Sequence, residues 1–165
     1  SVRTRDRDRD LGGSDHSSRP VSYEPSIGQI MSGRMDHEHT LDVFEDELVA
    51  AGFEAGETEH SDLLAWRNTD LVLVEAKSVH GSNERSQIRK ALGQLYEYSY
   101  FDVEQDPERA KQDLTRCLVL TEKPSEEYLE FLEHLQQEGI FTFWTKEYEV
   151  CGFSYSMQGL EAITE

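Results

Sequence analysis

Lysine is scarce in this chain, and acidic side chains greatly outnumber basic ones. The 165 residues include 16 Lys and Arg, only five of them Lys, against 34 Asp and Glu, for a formal charge of −18. Affinity for nucleic acids that does not depend on sequence normally comes from Lys and Arg that neutralise phosphates. The composition therefore argues against a protein that holds nucleic acid through a broadly basic surface.

The acidic residues are spread over the whole chain rather than collected in one tail. Surfaces rich in acid and poor in lysine suit proteins that work in concentrated salt, where the screening length falls to roughly 3 Å at 1 M. The composition predicts a halophilic source. An acidic protein from an ordinary environment is the alternative interpretation.

Cysteines and long apolar runs are also few. Cys117 and Cys151 stand apart, which is typical of reduced thiols rather than a disulfide framework, and they form no zinc-binding pattern. No apolar run approaches the roughly 18 residues that span a bilayer, and no signal-peptide core is present. We expect a soluble cytoplasmic protein with no membrane partner.

The domain organisation follows from the distribution of apolar residues. Residues 1–35 contain RTRDRDRD and then Gly, Ser and Pro, a composition that cannot bury enough surface to fold alone. We interpret them as a disordered or linker segment; a weak nucleic-acid arm is the alternative, although its mixed charges produce little net field. The folded domain is predicted over 36–157 and a tail over 158–165.

Within this domain, helical and strand patterns follow one another. Leu41, Phe44 and Leu48 have helical spacing, and Gly52 is placed to end that helix. Later patterns predict strands over 53–60, 61–67 and 71–77, a helix over 84–101, a strand over 114–121, a helix over 125–137, a strand over 140–144 and an edge strand over 150–156. The first three strands read as an antiparallel meander.

Three charged side chains lie at the ends of two apolar strands. Asp62 opens one strand, and Glu75 and Lys77 close the next, with twelve residues between the two acids. Side chains two apart on a strand share a face, so Glu75 and Lys77 face the same way as Leu71 and Leu73. Charges on a buried face are costly unless they are paired or bind a metal. The alternative is a solvated strand face.

This arrangement resembles the PD-(D/E)xK nuclease superfamily, whose signature is an Asp at a strand start and Glu-x-Lys at the end of the next strand. Ser61 stands here in place of the proline. The resemblance implies an α/β restriction-endonuclease-like fold, with an α-β-β-β-α-β core and a mixed central sheet flanked by helices. It also implies that Asp62, Glu75 and the Ala76 carbonyl bind Mg²⁺ or Mn²⁺, and that Lys77 places the attacking water.

A second motif follows on the next predicted helix. Gln87, Ala91, Gln94 and Tyr98 share one helical face. Gln94 and Tyr98 match the Gln-x-x-x-Tyr motif of RecB-like members of the superfamily, in which both residues lie beside the metal site. The resemblance implies catalytic roles for Gln94 and Tyr98. The alternative is an amphipathic helix whose amide and phenol border the core.

The densest basic cluster of the folded part lies on the same helix. Arg85, Arg89 and Lys90, together with Gln87, are predicted to contact nucleic acid, since local charge beside a scissile bond matters more than net charge. Simple solvation of these side chains is the alternative.

The superfamily often adds an acid from the first helix, and the choice between Glu38, Asp42 and Glu45 is open here. Glu45 is favoured because apolar residues bracket it. The RecB-like first motif, Gly-His-x-x-Glu, is absent as such; His37 lies in its nearest equivalent and is predicted to be solvent-exposed.

Taken together, these residues predict a metal-dependent deoxyribonuclease that hydrolyses phosphodiester bonds in DNA, in repair, recombination or restriction and defence. One alternative is a non-catalytic module of the same fold that binds nucleic acid or protein. Another is an acidic protein that mimics DNA. Homodimerisation and further domains of a longer chain stay open.

Overall fold

A single six-stranded sheet, covered on both faces by helices, forms the domain. The computed structural model describes residues 1–7 and 27–164, with side chains for 1–7 and 36–163. The helices are α1 (Ile27–Ala50), α2 (Glu84–Tyr98), α3 (Glu126–Leu135) and α4 (Ser154–Thr164). The strands are β1 (Glu54–Gly56), β2 (Leu63–Arg67), β3 (Asp70–Lys77), β4 (Asp113–Leu120), β5 (Ile140–Lys146) and β6 (Glu149–Gly152).

The strands lie in the sheet in their order along the chain. β1, β2 and β3 form the predicted antiparallel meander, β3, β4 and β5 are parallel, and β6 returns antiparallel to β5. The connections between parallel strands contain α2 and α3, as parallel pairing requires. This topology confirms the predicted α/β class, with a restriction-endonuclease-like α-β-β-β-α-β core and a mixed sheet.

The core has two layers because β3 is buried on both faces. Val72 and Val74 pack with α1, where Phe44 is fully buried. Leu73 points to the opposite face and packs with Ile88 of α2. The continuous apolar run in β3 is therefore explained by helices on both sides of the sheet.

Two predicted boundaries differ from the structure at its helices. α1 begins at Ile27, nine residues before the predicted start of the domain. α4 replaces both the end of the predicted edge strand and most of the predicted tail, because Leu160 is 6% exposed and packs into the core on the α1 face. The sheet edge is correspondingly shorter, and β6 ends at Gly152.

The linker interpretation of the first residues is also corrected. The N-terminal arm, residues 1–7, is attached to the domain: Arg3 forms an antiparallel bridge with Glu57, and Arg5 is 6% exposed. Arg5 donates to Glu38, Asp42 and Glu45 on α1, so its charge is neutralised by carboxylates. The rest of the predicted linker up to residue 26 lies outside the described residues.

Both cysteine thiols are free, as the sequence predicts, with Cys117 buried and Cys151 partly buried. Among the described residues, every helix is too short or too polar to cross a bilayer.

Candidate active site

The β2–β3 hairpin brings the two predicted acids together. Leu63 pairs with Val74 at the end of the register, so Asp62 and Glu75 are the next residues beyond the paired residues of these strands. Asp62 accepts a hydrogen bond from the Ala76 N–H at 3.3 Å. Pairing of the strands therefore determines which carboxylates meet.

His37 of α1 completes the contacts of Asp62. Its Nε2 lies 3.3 Å from Asp62 Oδ2 and 3.1 Å from the Ala76 carbonyl oxygen. Burial opposes the charged imidazolium, but hydrogen bonds with Asp62 and Glu38 prevail and raise the pKa of His37 to about 10. Burial likewise opposes ionisation of Asp62, yet His37, Lys77 and the Ala76 amide lower the pKa of Asp62 to about 2. The two side chains form an ion pair.

Glu75 is the least satisfied charged group of the site. It is 1% exposed, and its Oε1 is buried without a hydrogen-bond partner. Its other oxygen lies 3.6 Å from Lys77 Nζ. Burial and the charge of Asp62 hold the pKa of Glu75 well above its usual value, although Lys77 and His37 oppose this effect. A cation bound at Oε1 would stabilise the Glu75 carboxylate against both burial and the charge of Asp62.

The candidate ligands suit a hard divalent cation, which prefers carboxylate and carbonyl oxygens. They are the carboxylates of Asp62 and Glu75 and the carbonyl of Ala76. No group of three or more His, Cys, Asp or Glu side chains in the described part of the chain is arranged to hold a metal ion. A backbone carbonyl or water must therefore complete any coordination sphere. Glu75 Oε1, which has no hydrogen-bond partner, is suited to act as one of the carboxylate ligands.

Gln94 and Tyr98 lie on the same side of the sheet as Glu75. Gln94 donates to the Tyr98 hydroxyl at 2.8 Å, and its own Oε1 is buried without a partner. Burial raises the pKa of Tyr98, and the charges of Glu75 and Asp62 add to this rise while the Gln94 bond opposes it. The motif thus adds a second orphaned oxygen and a phenol within electrostatic reach of the acids.

The predicted nucleic-acid residues separate onto two flanks of α2. Gln87 donates to the Ser78 carbonyl at 3.0 Å and so supports the chain just after Lys77. At 100° per residue, Lys90 lies on the Gln87 flank, whereas Arg85 and Arg89 lie on the opposite one. Among the contacts of the described residues, none pairs these three cations with a carboxylate. Lys90 is therefore the cation of the cluster on the flank of the acids.

Among the three candidate acids on α1, Glu38 contacts His37, whereas the favoured Glu45 pairs with arginines of the arm. Glu38 Oε1 lies 3.5 Å from His37 Nδ1, whereas Glu45 binds Arg5 at 2.5 Å and Arg7 at 3.6 Å. The apolar neighbours of Glu45 indicate burial correctly, but the buried carboxylate faces an arginine of the arm. The spacing of residues along α1 gives no information about this arginine, which lies in the N-terminal arm.

His37 is the residue of the candidate site that the sequence interpretation missed. It is predicted to be exposed, yet its side chain is 23% exposed and contacts both Asp62 and the Ala76 carbonyl. Its place in His37-Glu38, the nearest equivalent of the absent Gly-His-x-x-Glu motif, was the available signal.

The His37–Asp62 pair predicts a pH-dependent stability. The stabilisation that His37 contributes to the folded state is fully present below its ordinary pKa of 6.5 and is lost as pH rises through about 10. The stabilisation that Asp62 contributes is present above its ordinary pKa of 3.8 and is lost as pH falls through about 2. We expect the difference in unfolding free energy between wild type and His37→Asn to be largest from pH 3.8 to 6.5 and to shrink in alkali.

Denaturant titrations across this range measure the difference, with His39→Asn as the control, because His39 is exposed and bonds only a carbonyl and a ring on the β5–β6 turn. A His37 difference that stays constant up to pH 10 would contradict the ion pair.

Comparisons with known proteins add partial structural likenesses. No protein-family model matches the chain, and no curated protein matches it either. A crystal structure of an XisH family protein from Nostoc punctiforme is similar with a TM-score of 0.46 and 18% identity, over 68% of this chain and 95% of that one. A crystal structure of an fdxN element excision controlling factor protein from Anabaena variabilis has a TM-score of 0.43 and 20% identity, over 66% and 95%.

Proposed function

We propose that the protein is a metal-dependent nuclease that hydrolyses phosphodiester bonds in DNA. The observation that carries the proposal is the buried Glu75 carboxylate, whose Oε1 has no partner although it lies beside the charge of Asp62. Such an arrangement is costly in a structural core and is typical of a site that binds a cation.

Asp62, Glu75 and the Ala76 carbonyl would hold Mg²⁺ or Mn²⁺. When bound, the metal lowers the pKa of a water ligand and stabilises negative charge on phosphate oxygens. His37 contacts two of these oxygens, at 3.3 Å from Asp62 and 3.1 Å from the Ala76 carbonyl. Its Nε2–H is therefore the group that must move or lose its proton when a cation binds.

Lys77 and the helix α2 supply the remaining functions. The Lys77 ammonium lies on the Glu75 face, where it can orient water and attract a phosphate oxygen. Gln94 and Tyr98 contribute an amide oxygen and a hydroxyl that can position this water by hydrogen bonding. The unpaired Lys90 extends the positive charge along the path of a DNA backbone.

Cleavage assays test the proposal directly. Plasmid, linear duplex and single-stranded DNA are incubated with Mg²⁺, Mn²⁺ or EDTA from low to molar salt. We expect metal-dependent cleavage that persists in concentrated salt, as the predicted halophilic source implies, and that falls at least ~100-fold in Lys77→Ala and in Asp62→Ala.

Lys111→Ala is the matched control, because Lys111 is 72% exposed and precedes β4, at the end of the sheet opposite to Lys77. Cleavage that survives in both site variants would overturn the assignment. Binding of DNA by wild type without cleavage under any condition would favour the non-catalytic module.

A further inference from the structure

A run of aromatic rings leads outward from the candidate site. Tyr98, within electrostatic reach of Glu75, has its ring centroid 5.8 Å from that of His60. His60 in turn stacks on Phe101, with centroids 5.7 Å apart and planes 25° from parallel. Phe101 is 52% exposed and lies nearly perpendicular to Tyr100, which is 48% exposed, with ring centroids 5.0 Å apart. These four rings form the aromatic platform.

The platform is held in place by a buried carboxylate. Asp102 is 6% exposed and accepts hydrogen bonds from Thr58 at 2.5 Å, from His60 at 2.9 Å and from Ser61. It lies in the π-helical turn Ser99–Glu104, which also carries Phe101. π-helical turns are rare and are frequent at functional sites. Asp102 therefore connects the turn under Phe101 to the segment that leads into Asp62.

The aromatic platform can contact DNA without relying on positive charge, which this acidic protein largely lacks. With a net charge of −18, the protein repels phosphates over most of its surface. Stacking of bases on aromatic rings needs no net positive charge and releases few counterions, so concentrated salt weakens it little. Tyr100 and Phe101, two exposed aromatic residues on the turn after α2, are hard to explain by packing, since they stabilise no core.

We propose that the aromatic platform binds an unpaired base of a single DNA strand next to the scissile bond. This inference rests on the proposed function for the position of that bond, but base binding itself needs no catalysis. The exposed ring of Phe101 provides the contact surface for the base, and His60 stacks on it from the protein side. The substrate class is therefore DNA with a single-stranded segment rather than intact duplex.

Fluorescence anisotropy in EDTA measures this binding without cleavage. The probes are fluorescein-labelled oligothymidylate and a blunt duplex of the same length, over a series of salt concentrations. We expect wild type to prefer the single strand with a shallow salt dependence. Phe101→Ala should weaken single-strand binding roughly 5- to 150-fold, the range for one lost stack, and Phe101→Tyr should retain it.

Phe131→Ala is the control, because Phe131 is a 41% exposed phenyl on α3. Equal affinity for both probes, no binding to oligothymidylate, or unchanged affinity in Phe101→Ala would overturn the platform. Loss of binding in Phe101→Ala supports the platform even if no metal supports cleavage, in which case only the nuclease proposal fails. If wild type cleaves DNA but Phe101→Ala binds the single strand with unchanged affinity, the nuclease proposal stands and the proposal of base binding by the platform fails.

Discussion

Glu75→Gln is expected to abolish cleavage and, without divalent metal, to make the protein more stable. Loss of a metal-binding carboxylate should reduce cleavage by ~10³-fold or more. The stabilisation follows from burial, because the folded state raises the pKa of Glu75 and so disfavours the carboxylate that the unfolded chain carries. At neutral pH we expect a gain of roughly 0.5–2 kcal/mol in unfolding free energy, the usual size of such trade-offs.

The sign of the pH dependence distinguishes this explanation from improved packing. The wild-type penalty begins as pH rises above 4.5, the ordinary pKa of glutamate, so Glu75→Gln and wild type should be equally stable in stronger acid. Mg²⁺ should raise the melting temperature of wild type and not that of the variant. Glu130→Gln, an exposed change on α3, serves as the control. A variant that Mg²⁺ stabilises as much as wild type would remove Glu75 from the metal site.

Arg5→Ala is expected to cause the largest loss of stability. The Arg5 side chain is 2% exposed and neutralises three carboxylates of α1, which would otherwise repel one another. Removal of one partner from a buried ion pair typically costs about 3–5 kcal/mol. Because Glu38 and Asp42 keep 33% and 28% exposure, we expect a smaller loss of roughly 2–3 kcal/mol. Urea titration measures it.

The neighbouring arginine provides the comparison for this experiment. Arg3 also forms an ion pair, with Glu57 at 2.7 Å, but its side chain is 70% exposed. Arg3→Ala should therefore cost less than ~1 kcal/mol. Similar losses for the two variants would show that the arm acts through its backbone bridge rather than through the buried guanidinium.

The sheet and the acids were predictable because local patterns determine them. The apolar run of β3 indicates a strand buried on both faces, and its alternation places Glu75 and Lys77 together. Gly52 adopts a φ of 94° at the helix end that it predicts. The spacing of Gln94 and Tyr98 likewise places their polar atoms 2.8 Å apart.

The remaining features depend on partners that are distant in the chain. Arg5 meets its carboxylates across 33 to 40 residues, and no periodic pattern records such a contact. His37 reaches Asp62 only because α1 crosses the end of the hairpin. α4 was missed because Gly159 lowers the local helix propensity, whereas packing of Met157, Leu160 and Ile163 against the core stabilises the helix. Tertiary contacts, rather than local propensity, determine where these residues and this helix lie.

The two-residue connection between β2 and β3 has a consequence for the order in which the protein folds. Asn68, with φ of 53°, and Thr69 join strands whose ends pair directly, at Arg67 and Asp70. Hairpins of this kind close in about 1–10 μs, long before distant segments assemble. Asp62, Glu75 and Lys77 all belong to this hairpin or its immediate flank. During synthesis the groups of the candidate site therefore meet before α2, which follows them in the chain, can cover them.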